Sequence, residues 1–176
     1  MDADTLNALY QTLLDQPVAA LATLHDGDPA VSMTPVAWLP DGRAVIHVSR
    51  LATHTADMQA HAKVALLVTA PTTTGATPGA SPETSPLALP RLSLQGHAAF
   101  VAPDDEGHAA ARAAFLARFA DAEPMFGFGD FSLVVLTPLA VRFVGGFGRA
   151  HAVSAERWQA VCAALSCPAS SSTGCA

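Results

Sequence analysis

The sequence predicts a mainly β fold with helices at its periphery, an α+β arrangement of six antiparallel strands. Six β-type runs, several joined by Asp-Gly and Pro-Asp-Gly turn signals, read as antiparallel meanders. Helical patterns of apolar residues fall outside those runs. The 176 residues, 51% hydrophobic and 14% charged, are enough for one domain with a real core. Closure into a small barrel is the natural outcome, because it removes the exposed sheet edges.

Leu6, Leu9, Tyr10, Leu13 and Leu14 recur at helical spacing and stop before Pro17, predicting an N-terminal amphipathic helix packed on the core. Residues 18–25 and 30–39 form strands around the hairpin signal His25-Asp26-Gly27-Asp28, and Pro40-Asp41-Gly42 turns the chain into a third strand at 44–49. Thr53 or Thr55 can cap a short helix running to about Ala62, and the continuous apolar run Val64 to Val68 suits a buried strand. Residues 71–89, rich in Thr, Pro, Gly, Ser and Ala, are longer than most connections inside a compact domain and read as a mobile loop.

The sheet resumes at 92–101. Pro103-Asp104-Asp105-Glu106 then opens a helix with acids in its first turn, where the helix dipole favours them, and Phe115, Leu116 and Phe119 supply its apolar stripe. Residues 131–144 form a long last strand with a bend or an edge at Thr137-Pro138. Ser154 to Leu165 form a final helix. The single domain therefore spans 1–165, and 166–176 is a flexible tail.

The formal charge of -6 and nine scattered Lys and Arg lack the basic patch that phosphate-backbone binding needs, so no nucleic-acid partner is expected. No run reaches the length of a membrane span, and the acidic opening at Asp2 and Asp4 lacks a signal-peptide pattern. Cys162, Cys167 and Cys175 form an odd set without metal-ligand spacing, which points to a reducing cytoplasm and to no metal site. There is no nucleophile elbow, phosphate loop, Cys-x-x-Cys pair or zinc-protease helix.

The most informative stretch is Phe143-Val144-Gly145-Gly146-Phe147-Gly148-Arg149-Ala150-His151. Arg149 and His151, two residues apart just past a strand end, can reach one anionic ligand together. The alternative is a glycine turn whose Arg and His are simply solvated.

Five pieces in order extend that stretch: Ala20 to Leu24 with Gly27-Asp28-Pro29, Val48 to Thr55, Arg91 to Ala98, Gly127 to Phe131, and the stretch itself. Together they resemble the FMN-binding split-barrel superfamily of pyridoxamine-phosphate oxidase, and within it the haem-utilisation (HugZ-like) and CREG-like branch. The resemblance implies a six-stranded antiparallel split β-barrel with peripheral helices, and a homodimer holding its cofactor at the subunit interface. It implies FMN, with the phosphate at the turn after the third strand, around Val48, Ser49, Thr53, His54 and Thr55. The flavin ring would lie along Ser32, Met33 and Thr34, with Arg91 reaching it from the fifth strand, and Arg149 with His151 would bind substrate.

Three departures bear on the reaction. Thr53-His54 stands where the oxidases carry an Arg-Lys pair, and no basic residue lies near Val36 to grip a substrate phosphate. Phe143 stands where those enzymes carry a Trp. The implied activity is thus an FMN-dependent oxidoreductase acting on an unidentified small molecule. Two alternatives stay open. One is a haem-binding or haem-degrading HugZ-like protein with His97, His108 or His151 as a candidate axial ligand, lacking the C-terminal haem-handling domain of that branch. The other is a non-catalytic CREG-like binding module.

Overall fold

The computed structural model describes residues 3–71, 88–146 and 149–166. Most of the loop expected at 71–89 and the tail beyond 166 lie outside the described residues, as do Phe147 and Gly148.

One antiparallel sheet forms the body: β1 (Val18–His25), β2 (Asp28–Pro35), β3 (Ala37–Trp38), β4 (Ala44–Ser49), β5 (Lys63–Thr69), β6 (Arg91–Val101), β7 (Phe131–Val144) and β8 (Ala150–Val153). The spatial order is β2-β1-β5-β6-β7-β4-β3, with β8 paired to β7. β2 and β3, at opposite ends of that order, are consecutive in sequence with only Val36 between them. The sheet must therefore curl until its two ends approach. Val36 is fully buried at the junction and donates its N–H to the Pro17 carbonyl at 3.0 Å. This is the expected α+β split barrel.

The strand count differs from six for two local reasons. The run over 30–39 divides because Pro35 offers no N–H and Val36 gives its own to Pro17, so β2 pairs with β1 while β3 pairs with β4. The residues after the glycine turn form a further strand, and Arg149 just before it and His151 on it are both exposed. Gly145 N–H bonds to the Arg149 carbonyl at 2.9 Å and returns the chain along β7, placing His151 opposite Phe143.

The expected bend at Pro138 is present as a register shift opposite Gln95 and Gly96. Gly96 is required there, since a Cβ would lie 2.4 Å from the Thr137 carbonyl oxygen.

The helices are α1 (Ala3–Leu14), α2 (Thr53–Ala60), α3 (His108–Arg118) and α4 (Ala155–Ser166), with a 3-10 segment at Ala120–Gly127. Neither Thr53 nor Thr55 caps α2. Ala52 holds the cap position without a side-chain bond, and Thr55 Oγ1 instead donates to the Ser49 carbonyl at 2.7 Å. α3 starts later than expected and carries no acid in its first turn. Gly107, at φ 93°, breaks the chain before it, and Asp105 accepts the Ala102 N–H in the preceding turn. Ser154 caps α4, accepting the Arg157 N–H.

Two apolar clusters fill the interior. The larger joins the barrel to α1 and α4, with Tyr10, Phe143, Trp38 and Trp158 in mutual contact at centroid distances of 4.7 to 6.0 Å. The smaller lies beneath α3 and the 3-10 segment around Phe115.

Candidate functional site

Where β1, β2 and α2 meet, polar side chains that are far apart in sequence converge. Ser32 Oγ and His54 Nδ1 lie 3.1 Å apart, joining two of the expected cofactor-binding residues. One helical turn from His54, the buried Asp57 accepts a hydrogen bond from Thr23 Oγ1 at 2.8 Å and another from His25 Nδ1 at 2.8 Å. Nothing in the sequence announced this cluster: its members are 32 and 34 residues apart and form no motif. Burial pushes the His54 imidazole below its usual value, partly offset by the charge of Asp57, so the ring is neutral at pH 7.

The Asp57 carboxyl is held below the usual carboxylate range, first by the bond from His25. His25 is raised by the same bond, then by the charges of Asp57 and Asp26. The depressed Asp57 gives stability that is present above the unfolded carboxylate value near 4 and is lost as pH falls through the folded value. The raised His25 gives stability that is present below the unfolded imidazole value near 6.5 and is lost as pH rises through the folded one. The pair therefore contributes most between about pH 4 and pH 6.5. The Asp57→Asn variant is expected to melt below the unsubstituted protein by a margin that is widest near pH 5.5 and narrows by pH 8. Calorimetry across that range checks this, and a constant margin would contradict it.

The groups expected to cradle a phosphate around α2 are largely engaged within the fold. Ser49 Oγ donates to Asp130 at 3.0 Å and accepts the Leu51 N–H at 3.1 Å. Thr55 is buried with its hydroxyl on a backbone carbonyl, and Val48 is buried in the core. Thr53 is exposed, and His54 faces Ser32. Thr34 is also buried, its hydroxyl donating to the Pro35 carbonyl. A phosphate dianion brought here finds the Asp130 carboxylate on Ser49 and the Arg50 guanidinium already donating to the Gly129 carbonyl at 2.6 Å.

Arg91, Arg149 and His151 gather at the other end of the sheet. Arg91 pairs with Val144 across β6 and β7, and Ala150 pairs with Val144 from the β8 side. Arg149 and His151 are both exposed. Phe143, in place of a ring set against a flavin, is fully buried against Tyr10. Ser49 pairs with Phe131 and His151 with Phe143, so about 40 Å of strand, at about 3.3 Å per residue, separates the two groups. One protomer does not bring them onto a single small ligand.

Between these ends, the outward face is apolar over β2, β1 and Ala65 and Leu67 of β5, and polar on β6, where Ser93, Gln95 and His97 lie across from Leu67, Ala65 and Lys63. Met33 is 68% exposed, Leu67 41% and Leu139 59%, and the register sets Met33 and Leu67 on either side of Ala20. Met33 thus packs against nothing in the core and points away from the Ser32 side of β2.

Two clefts lie on this face. One, of about 380 Å³, is lined by Ala22, Pro29, Ala65, Leu139 and the chain's single lysine, Lys63. The other, of about 450 Å³, is lined by Ser93, Arg142 and His151, and both include Gln95. Lys63 pairs with His97, and Arg142 with Ser93, so the two cations stand roughly 13 Å apart along β6 at about 3.3 Å per residue. Lys63 and Arg142 were not singled out by the sequence, because only the register places them on one face.

The family model described as pyridoxamine 5'-phosphate oxidase matches residues 6–145. The chain belongs to this family. A curated relative, "Non-canonical heme oxygenase HOZ, chloroplastic" of Arabidopsis thaliana, is 35% identical over 132 residues, 75% of this chain and 36% of that protein. The solved heme binding protein from Mycobacterium smegmatis is 32% identical, with a TM-score of 0.73 over 91% of this chain and 61% of that one. Campylobacter jejuni ChuZ, at 20% identity and a TM-score of 0.72, covers 89% of this chain and 62% of its own, and shares the fold. The chain thus spans about a third of the plant relative and three fifths of the mycobacterial one.

Within the pyridoxamine 5'-phosphate oxidase family the chain is similar to these plant and mycobacterial proteins. The family match takes in the Ser32, His54 and Arg91 regions and stops short of Arg149 and His151. Among the described residues no helix is long and apolar enough to cross a membrane.

Proposed function

We propose that this member of the pyridoxamine 5'-phosphate oxidase family binds haem, as a homodimer, on the apolar outer face of its sheet. The observation that carries the reading is the pairing of an apolar strip with two cations. Haem is a planar apolar macrocycle with two carboxylates on one edge, and Lys63 and Arg142 stand on either side of Gln95, next to the apolar row of Met33, Ala20 and Leu67. Lys63 and Arg142 would meet the propionates, and Met33, Leu67 and Leu139 would cover the ring. Bound haem would supply the iron for oxygen chemistry, while the protein would shield and orient it. The names of the plant and mycobacterial relatives support the same reading.

FMN is the second reading, favoured by the family match and by Arg149 and His151 beside the Arg142 cleft. The Asp130 carboxylate on Ser49 opposes a phosphate there, and the Arg50 guanidinium beside it is held on the Gly129 carbonyl. Either cofactor gives the dimer a role, because a second copy would bring the α2 turn and the β8 end to one ligand. Exposed apolar area of this kind is also what a second copy would cover.

The test is haemin titration of the Lys63→Ala/Arg142→Ala double variant. Each charged group contributes about 1.5–3 kcal/mol to such a pair, so affinity should fall at least tenfold with the fold unchanged. Unchanged affinity would remove Lys63 and Arg142 from the site.

A further inference from the structure

A third cleft, of about 300 Å³, opens where the ends of β4, β6 and β7 meet the start of α3 and the 3-10 segment. Phe100, Pro103, Phe126 and Phe131 form its apolar walls, and His47 and His108 line it. His47 is 9% exposed. Its ring stacks on Phe126 at 4.0 Å and 8° between planes, leans on Phe131 at 5.1 Å and meets the edge of Phe115 at 5.6 Å. No hydrogen bond among the described residues reaches its ring nitrogens.

Its nitrogens are not among the buried side-chain atoms left without a partner, Trp38 Nε1 being the one such atom among the described residues, so the polar edge of the ring is open to an occupant of the cleft. Burial alone pushes His47 below its usual value, so the ring is neutral, with one N–H donor and one lone pair. Phe126 is fixed from its far side by the Arg112 guanidinium, 4.9 Å from the ring centroid, which is itself paired with Glu123. The aromatic wall is therefore preorganised. Among the described residues no Lys, Arg, Asp or Glu lines the cleft, so a charged occupant would be left unpaired.

We infer that this cleft is a binding site for a small, neutral, single-ring aromatic molecule bearing a hydroxyl group, held between the phenylalanine rings with its hydroxyl on the His47 edge. Its residues are separate from those of the sheet face, so it stands or falls independently of the haem reading.

Titration with phenol and with toluene, followed by NMR of the histidine ring resonances, tests it. Phenol is expected to give saturable shifts at His47 and His108, with toluene at least tenfold weaker. The His47→Phe variant, which keeps a ring in the stack and removes both nitrogens, should bind the two alike. The preference of the unsubstituted protein needs no variant, so a folding defect in His47→Phe leaves the test intact. Absence of saturable shifts with phenol, equal binding of toluene, or shifts confined to His97 and His151 would each overturn the inference.

Discussion

Replacing Trp158 with Ala is expected to remove much of the protein's stability. Trp158 is fully buried, meets Tyr10 and Trp38 edge-on, and donates Nε1–H to the Gly42 carbonyl at 2.8 Å. Truncation opens a cavity at the joint between α4, α1 and the barrel, and leaves a buried carbonyl without its donor. Large aromatic-to-alanine changes in cores cost about 3–5 kcal/mol, against a total of about 5–15 kcal/mol for a typical protein. In a chain of this size that corresponds to a melting point lower by roughly 6–20 °C. Trp158→Phe, which loses the hydrogen bond and part of the volume, should fall between. Thermal unfolding followed by circular dichroism checks both, and a shift of about 2 °C or less for Trp158→Ala would contradict the packing described.

Charging the outer sheet face is expected to act on association and leave the fold alone. Met33 and Leu67 flank Ala20 on that face and are largely exposed in the single chain, so Met33→Asp and Leu67→Asp should each change protomer stability by only about 0.5 kcal/mol. In a dimer that covers the face, two carboxylates placed among apolar side chains would be desolvated without partners. The double variant should therefore sediment at the chain mass where the unsubstituted protein sediments at twice it, and its haemin affinity should fall with it. A dimer that survives the double substitution would place the interface elsewhere.

The strands that periodicity marks clearly, from 18–25 to 131–144, are where the sequence puts them, because half-buried and buried strands leave a strong apolar pattern. β8 was not legible: it is four residues long, and its pairing with β7 follows from the Gly145 N–H bond to the Arg149 carbonyl. The start of α3 was misplaced because Asp105 serves equally well as a helix N-terminal acid and as a turn acceptor. Gly107 decides between them.

The site was legible only in part. His54 stood out within its local pattern, and the structure adds Ser32 as its neighbour. The Asp57 cluster, the Lys63 and Arg142 pair and the His47 cleft depend on strand register and helix docking, which bring together residues that no linear spacing connects.

The central claim is that the apolar sheet face receives haem. Its most direct test is the absorption spectrum of the purified protein titrated with haemin, and separately with FMN. A shifted Soret band that saturates with haemin, with FMN neither binding nor displacing it, is the predicted result. A spectrum of free haemin throughout, together with saturable quenching of FMN fluorescence, would contradict the claim and install FMN in its place.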